Sequence, residues 1–172
     1  RLGSLEPWEL HADFWTLFDN PRLMPHLHLP IQSGADSVLR RMSRRCRTAE
    51  FASLVDQARA AAPGFNVTTD IIVGYPGETD AEWQQTLDFA AEMGFGDIHI
   101  FAYSPRAGTK AAAMPDQVAH DVKRARSGQL HDVARRSRRR VLEAARGQGF
   151  GVLMEGRGGQ RRGGGAWWSG YT

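Results

Sequence analysis

Polar side chains follow or interrupt three apolar, strand-like segments of this 172-residue chain. Gln32 and Ser33 follow the first segment, Asp70 lies within the second, which ends in a turn at Gly74, and Tyr103 ends the third. In parallel α/β sheets and barrels, ligands bind at the carboxyl ends of the strands. The pattern therefore predicts a ligand site at this edge, although each turn taken alone is also compatible with a purely structural role.

Charged groups near these segments suggest which ligand the site would take. Arg44 follows a short predicted helix, and its guanidinium can bind a carboxylate through two parallel hydrogen bonds. Asp70 is a carboxylate inside an apolar strand, which is costly unless it is paired or hydrogen-bonded. Gly74 and Gly77 allow close approach of a ligand to the backbone, but their spacing matches neither the dinucleotide-binding fingerprint nor the P-loop. The residues thus predict a polar ligand held without a glycine-rich phosphate loop.

Metal-ligating residue types are few in this sequence. His26 and His28 form an H-x-H pair on one face of a predicted strand, but the sequence places no third ligand, so we interpret them as structural histidines. Cys46 is the only cysteine, which excludes an internal disulfide and any cysteine-ligated cluster held by this chain alone. We interpret Cys46 as an unreactive, buried or half-buried thiol.

The apolar periodicity predicts alternating strands and helices. Strands are predicted at 1–6, 26–31, 65–73 and 97–103, with helices at 9–19, from 36 to 42 and from 48 to the Pro63-Gly64 turn. A capping box formed by Thr79 and Glu82 starts the next helix, Gly94 ends it, and a long helix follows over 116–146. This alternation is typical of a parallel α/β sheet or barrel. An eight-unit barrel needs about 200–250 residues, so either a small open sheet or part of a barrel is expected.

Composition and charge indicate a globular body with a basic tail. Apolar residues make up 41% and charged residues 24%, and no apolar run approaches the roughly 18 residues of a membrane span. Residues 1–120 carry 10 Lys/Arg and 15 Asp/Glu, a net charge of −5, whereas residues 121–172 carry 12 and 4, a net charge of +8. Such a tail predicts an anionic partner such as nucleic acid, with a general arginine bias as the alternative. Ten of residues 147–172 are glycine, typical of a flexible segment or an incomplete β domain.

Together, the motifs resemble those of radical S-adenosylmethionine (SAM) methylthiotransferases. They are HLPIQSG at 28–34, M-x-R at 42–44, TDIIVGYPGE at 69–78 and F-x-YSPR-x-GT at 101–109, preceded by a strand-like RL-x-SLEP at 1–7. The likeness covers residues 1–146 and is greatest to the MtaB branch, which modifies threonylcarbamoyl-adenosine next to the tRNA anticodon. The sister branches are MiaB, which acts on isopentenyl-adenosine in tRNA, and RimO, which acts on an aspartate of a ribosomal protein.

The resemblance implies an α/β fold in which residues 1–146 form the second, C-terminal half of a radical SAM partial (β/α)6 barrel ending in a long helix. Residues 147–172 would begin a small RNA-binding β-barrel called TRAM. We therefore expect a C-terminal piece of a longer protein whose cluster cysteines lie upstream, with Cys46 in place of a usual tyrosine. Ala102 and Ala107 replace usual prolines, and the glycine-rich insertion at 158–165 departs from the TRAM pattern.

Transferred by position, the family pattern implies a set of SAM-binding residues and no catalytic or metal-ligating residue in this chain. Gln32 would contact the ribose or the methionine part, Arg44 the methionine carboxylate, and Asp70 the ribose or its neighbours on the strand. Ile72 and Gly74 would pack against adenine. Ser33 and Tyr103 are further candidates.

The resemblance also implies the reaction and its partners. SAM would be split at a reduced [4Fe–4S] cluster, and the resulting deoxyadenosyl radical would activate a C–H bond for insertion of a methylated sulfur. The full-length enzyme would hold two [4Fe–4S] clusters and would be a cytoplasmic monomer that meets tRNA and a reductant protein, with no membrane; this chain alone would be inactive. Two alternatives stay open, a non-catalytic RNA-binding module and a different α/β enzyme that binds a phosphorylated ligand at the sheet edge.

Overall fold

The computed structural model describes residue 2, residues 5–160 and residues 166–171, in which strands and helices alternate. Arg1, Gly3 and Ser4 of the predicted first strand and residues 161–165 of the glycine-rich insertion lie outside this part. The strands are β1 (His26–His28), β2 (Asn66–Val73), β3 (Asp97–Ala102), β4 (Leu153–Gln160) and β5 (Ala166–Tyr171). The α-helices are α1 (Asp36–Arg41), α2 (Thr48–Ala61), α3 (Asp80–Met93) and α4 (His120–Ala144), and 3-10 helices span Pro7–Glu9, Ala12–Asp19 and Ala111–Ala113.

The first three strands form one parallel sheet in the order β1-β2-β3. Leu27 pairs with Val67, and Asp70 pairs with His99. Leu2 forms a parallel bridge to Leu27 on the other side of β1, where the predicted first strand would lie. Each connection therefore adds the next strand on the same side, as in a barrel, whereas a doubly wound open sheet reverses direction.

One face of the sheet is covered by helices and the other is polar. The covered face carries apolar side chains that are no more than 5% exposed, namely Leu27, Val67, Ile71, Val73 and Ile98. Successive residues of a strand point to opposite faces, so Asp70 and Ile72 lie on the other face, where both are only half-buried. The nearly continuous apolar run of β2 is typical of a strand buried on both faces, but the structure buries mainly one.

Local sequence signals set the ends of α3. The Thr79 hydroxyl accepts a hydrogen bond from the backbone N–H of Glu82, whose carboxylate accepts one from the N–H of Thr79 at 2.9 Å. Gly94 ends the helix in the left-handed conformation, at φ +60°. The predicted capping box and glycine terminator are both present.

The long helix α4 packs along β3 and α3 and is shorter than predicted. It spans His120–Ala144 without a break at Gly128. Leu130 is fully buried, and the Ser137 hydroxyl donates a 2.7 Å hydrogen bond to the carbonyl of Phe95.

The predicted helix at 9–19 is instead a 3-10 helix over Ala12–Asp19. Of the described helices, none combines the length and apolarity that a membrane crossing requires.

The tail forms an antiparallel pair, β4 and β5, in a sheet of its own. Leu153 pairs with Tyr171, and Arg157 pairs with Trp168. A two-stranded hairpin alone is marginally stable in water, and at least a third strand or a packed helix is needed for an independent domain. These two strands do not make a barrel, so the TRAM assignment and the domain boundary near residue 147 stay predictions.

Gly34 is required by the close packing of the turn after β1 against α3. A Cβ at this position would lie 2.8 Å from both the Cβ of Phe89 and the Cα of Thr86, the latter belonging to the α3 backbone. We expect Gly34→Ala to destabilise the fold by about 1–3 kcal/mol because α3 must shift. Urea unfolding measures this, with Gly128→Ala as the control. That exposed glycine of α4 has nothing within 4 Å of its added Cβ, so alanine there should stabilise by up to about 1 kcal/mol. Equal effects of the two substitutions would contradict the packing explanation.

Candidate cofactor-binding site

The carboxyl ends of the three parallel strands enclose a cleft of about 540 Å³, which we call the rim cleft. Its lining includes Gln32, Asp70, Ile72, Phe101, Tyr103 and Arg106. The volume lies within the roughly 300–1,000 Å³ typical of sites for small molecules and cofactors. Four of the seven predicted binding residues, Gln32, Asp70, Ile72 and Tyr103, thus meet at one edge of the sheet, where the strand pattern predicts a ligand.

Gln32 is held at the rim by an unusual backbone conformation. Its φ is +79°, in the left-handed region that non-glycine residues rarely adopt. Its N–H donates to the carbonyl of Asp70 and its carbonyl accepts from the N–H of Ile72, both at 2.9 Å. These two hydrogen bonds fix the turn against a conformational cost of about 1–3 kcal/mol. Strain of this kind is concentrated at binding sites. Contact of Gln32 with SAM stays a prediction.

Tyr103 closes the opposite side of the rim cleft. Its backbone N–H donates to the carbonyl of Val73 at 2.8 Å, and its ring packs edge-on against Tyr75 with 5.5 Å between ring centroids. The hydroxyl oxygen of Tyr103 is buried without a hydrogen-bond partner in the described part of the chain. A buried hydroxyl without a partner costs free energy, so a ligand that accepts or donates a hydrogen bond there is favoured.

Asp70 stands at the centre of the polar face of the sheet, between two histidines. Its Oδ1 lies 3.2 Å from Nε2 of His28 and 3.0 Å from Nδ1 of His99. The Nδ1 of His28 lies 3.0 Å from the hydroxyl of Thr68. The carboxylate is thus hydrogen-bonded within the sheet, as its burial requires. The sequence analysis did not single out His99. Strand alternation places His99 on the same face as Asp70, but only when the pairing register of β2 and β3 is known.

Arg44 and Ser33 lie away from the rim cleft. The Nη1 of Arg44 is 3.4 Å from a carboxylate oxygen of Glu6, in a pair that is partly exposed. To bind the carboxylate of a ligand, Arg44 would have to release Glu6. Ser33 is fully buried, and its hydroxyl accepts from the N–H of Ala35 and lies 3.3 Å from the hydroxyl of Thr86. These contacts give Ser33 a structural role, and the binding roles of both residues stay predictions.

Gly74 lies under α4 and outside the lining of the rim cleft. Its φ is +74°, and a Cβ would overlap the Cγ of Lys123. Its N–H donates a 2.9 Å hydrogen bond to the buried carboxylate of Glu78, and the ammonium of Lys123 donates to the carbonyl of Tyr103. The need for glycine here therefore follows from the turn and from α4. Packing against adenine stays a prediction.

An arginine that sequence reasoning left unassigned, Arg41, ties α1 to the start of α3. It donates one hydrogen bond to each carboxylate oxygen of Glu82, at 2.8 and 2.7 Å, and a third to the carbonyl of Gly77. The Ser37 hydroxyl donates to the same carboxylate at 2.5 Å. Chiefly because of the Arg41 hydrogen bonds, the pKa of Glu82 falls to about 2. This fork ties α1 and the turn at Gly77 to the start of α3.

Cys46 has the properties expected of a structural thiol. It is 7% exposed and donates to the carbonyl of Arg47 at 3.4 Å. Burial raises the pKa of its thiol to about 11, so the uncharged form dominates at neutral pH. A cysteine binds a metal ion as its thiolate, and an iron–sulfur cluster takes several cysteine thiolates. The residues of this chain therefore do not fit an iron–sulfur cluster.

A second cleft, of about 600 Å³, lies between Trp8 and α2, with Arg45 and Cys46 in its lining. It is slightly larger than the rim cleft. None of the predicted binding residues lines it, and it opens on the helical layer, away from the strand ends. The rim cleft is therefore the better candidate for a ligand site.

Comparison with known proteins supports the motif assignment. Residues 16–90 match the family described as the Radical SAM superfamily. The chain is 43% identical over 147 residues to "Threonylcarbamoyladenosine tRNA methylthiotransferase MtaB" of Thermotoga maritima, an alignment that covers 83% of this chain and 34% of that protein. It is 41% identical over 139 residues to "tRNA-2-methylthio-N(6)-dimethylallyladenosine synthase" of Alkalilimnicola ehrlichii, covering 81% and 31%. The chain thus spans about a third of the length of these curated relatives.

A solved structure shares the fold. Coproporphyrinogen III oxidase (HemN) from Escherichia coli, described as a radical SAM enzyme, superposes with a TM-score of 0.63 and 21% sequence identity, over 77% of this chain and 31% of that one. At this identity the likeness concerns the fold alone. The predicted resemblance is confirmed: most of this chain is similar to radical SAM methylthiotransferases of the MtaB and MiaB types, and its fold resembles that of a radical SAM enzyme.

Proposed function

We propose that this chain is the part of a tRNA methylthiotransferase that binds SAM and faces the substrate. The observation that carries the proposal is the rim cleft, which gathers Gln32, Asp70, Ile72 and Tyr103 from three strand ends. Within the protein as a whole, residues 1–146 would be the second half of the radical SAM core, and residues 147–172 would start the TRAM domain. The [4Fe–4S] clusters would be held by cysteines of another part of the protein, because this chain has one cysteine.

The lining of the rim cleft suits an adenosyl group with a polar tail. Ile72 and Phe101 offer apolar surface to a flat base, Phe101 being half exposed. The Gln32 amide can both donate and accept, and the Tyr103 hydroxyl has no hydrogen-bond partner among the described residues. SAM, when bound, supplies the radical chemistry, and the protein binds and orients it and excludes water. Arg44 would bind the methionine carboxylate after releasing Glu6.

The basic surface of α4 supports tRNA as the partner. Arginines 135, 136, 138, 139 and 140 are all exposed on this helix. Arg135 pairs with Asp132 and Arg139 with Glu143, but these exposed pairs are worth little and can be exchanged for phosphate. Arginine forks bind phosphate oxygens through two hydrogen bonds. The helix therefore offers a row of cations suited to an RNA backbone.

The substrate we propose is threonylcarbamoyl-adenosine next to the anticodon. Relatives named for threonylcarbamoyl-adenosine and relatives named for dimethylallyl-adenosine match this chain at similar identity, 43% and 41%. The proposal therefore rests on the motif likeness to the MtaB branch. The isopentenyl-adenosine and ribosomal-aspartate substrates are the alternatives within the same chemistry.

Mass spectrometry of tRNA nucleosides from a strain that lacks the gene tests this function. We expect the methylthio form of threonylcarbamoyl-adenosine to disappear and to return with the wild-type gene. A gene carrying Ile72→Asp should fail to restore it, since a carboxylate would replace the apolar wall of the rim cleft, whereas Ile72→Val should restore it.

Other outcomes would redirect or remove the proposal. Loss of the methylthio form of isopentenyl-adenosine instead would assign the MiaB substrate. Unchanged tRNA nucleosides would contradict a tRNA methylthiotransferase, and tRNA binding without modification would then favour the RNA-binding module. If Ile72→Asp fully restored the methylthio nucleoside in an enzyme shown to depend on SAM, the rim cleft would not be the SAM site.

A further inference from the structure

Three side chains from three neighbouring strands meet on the polar face of the sheet. They are His28 of β1, Asp70 of β2 and His99 of β3. One ligand atom from each lies within 4.8 Å of the other two. The Asp70 Oδ1 is 3.2 Å from the His28 Nε2 and 3.0 Å from the His99 Nδ1. Two imidazoles and a carboxylate gathered in this way are a candidate metal site.

The spacing of these atoms suits a metal ion. Ligand atoms about 2.1 Å from a tetrahedral ion lie roughly 3.4 Å apart, close to the two distances between nitrogen and oxygen in this structure. Two imidazoles and one carboxylate are ligands of divalent ions such as zinc, cobalt and iron(II). The set leaves at least one coordination position for another ligand, as in catalytic rather than structural zinc sites.

The surroundings of the triad provide the second requirement of a metal site, a fixed ligand orientation. The Thr68 hydroxyl lies 3.0 Å from Nδ1 of His28, the ring nitrogen that faces away from Asp70. Outer partners of this kind set the tautomer and the ring angle of a metal-binding histidine. Thr68 is 8% exposed, so the contact is shielded from water.

An entry path is also present. His28 and His99 line an open cleft of about 490 Å³ at the amino-terminal half of the strands, together with Asp97 and Arg138. The His99 side chain is 55% exposed, which leaves one ligand directly accessible to an ion in solution. Arg138, the nearby cation of this cleft, lies 3.6 Å from Asp97, which offsets its charge.

We propose that His28, Asp70 and His99 bind one divalent transition-metal ion, through Nε2 of His28, a carboxylate oxygen of Asp70 and Nδ1 of His99. Because the ligands are imidazole and carboxylate, the ion is of the zinc and cobalt class and is distinct from a cysteine-held cluster. It would bind whether or not the chain takes part in methylthiolation. Asp70 also lines the rim cleft, so the ion would stand next to whatever that cleft holds.

Titration of the full 172-residue chain with Co²⁺ tests the site. We expect visible absorption bands of Co²⁺ with fewer than six ligands, saturation at one ion per chain, and loss of the bands on addition of Zn²⁺. His99→Ala and Asp70→Asn should each weaken binding by more than about ten-fold, since even loss of an outer partner commonly costs about 10–100-fold. His131→Ala, which removes an exposed histidine of α4, is the matched control and should bind Co²⁺ like the wild type.

The absence of Co²⁺ bands in the folded wild-type chain would overturn the proposal and leave a hydrogen-bonded triad. The proposal would also be overturned if both His99→Ala and Asp70→Asn bound Co²⁺ with the affinity of the wild type. His99→Ala is the decisive variant because its side chain is half exposed and its loss leaves the core intact. Circular dichroism of each variant confirms that weakened binding does not come from unfolding.

Discussion

Replacing Arg126 with methionine is expected to lower the free energy of unfolding by about 3–5 kcal/mol, because it leaves a buried carboxylate without its partner. Arg126 and Glu78 are each only 5% exposed. One guanidinium nitrogen of Arg126 donates to Oε2 of Glu78 at 2.8 Å and to the Glu78 carbonyl at 3.1 Å. The other donates to Asp80 at 2.7 Å, but that aspartate is almost fully exposed and adds little.

The pair matters beyond its own contacts because Glu78 organises the turn after β2. Its Oε2 also accepts the N–H of Gly74, and Arg126 comes from α4 on the far side of the turn. Burial raises the pKa of Glu78, against the lowering by the Gly74 N–H and by Arg126. With Arg126 gone, the pKa of Glu78 rises further and the carboxyl takes up a proton more readily on folding. The cost of the substitution should therefore be smaller at pH 5 than at pH 8.

Urea unfolding at these two pH values measures the effect. Arg139→Met, on the exposed side of the same helix and paired with Glu143, is the matched control and should change stability by less than about 0.5 kcal/mol. Adding Glu78→Gln to Arg126→Met should recover part of the loss, since no charge then stays buried. A loss as small as that of the control would show that the buried pair does not support the turn.

Much of the fold follows from local sequence. The capping box at Thr79, the terminator at Gly94 and the β-branched run of β2 each specify their elements through nearby residues. The 3-10 helix over Ala12–Asp19 could not be separated from an α-helix, because both place apolar residues three to four positions apart. The start of α4 was predicted four residues too early, since no strong N-cap marks it.

Part of the candidate site follows from residue positions at strand ends, and the rest depends on the register between strands. Gln32, Asp70 and Tyr103 follow from position after or within a strand, and the structure gathers them. The pairing of Asp70 with His99 depends on the register of β2 and β3, which sequence periodicity does not give. The Arg126–Glu78 pair joins residues 48 apart, and only the docking of α4 brings them together.

Lowering the pH should reveal a second shielded carboxylate that stabilises the fold, that of Glu82. Its carboxylate accepts hydrogen bonds from Arg41, from Ser37 and from the backbone of Thr79. These lower its pKa from 4.5 to about 2, and the side chain is only 13% exposed. A carboxyl whose pKa is lower in the folded state stabilises the fold above its unfolded pKa. The 4.5 to 2 difference corresponds to about 3 kcal/mol, lost as the pH falls from about 5 to 2.

The difference in stability between wild type and Glu82→Gln isolates this contribution. We expect the variant to be less stable by about 3 kcal/mol at pH 7 and the two curves to converge near pH 2, measured by urea unfolding across this range. The subtraction is needed because Glu78, whose pKa burial raises, changes stability in the opposite direction and would mask the effect in the wild type alone. Glu9→Gln, an exposed glutamate, is the control. If the difference stays constant with pH, the fork of Arg41 holds α1 against α3 by shape and hydrogen bonding, and the charge of Glu82 contributes nothing to it.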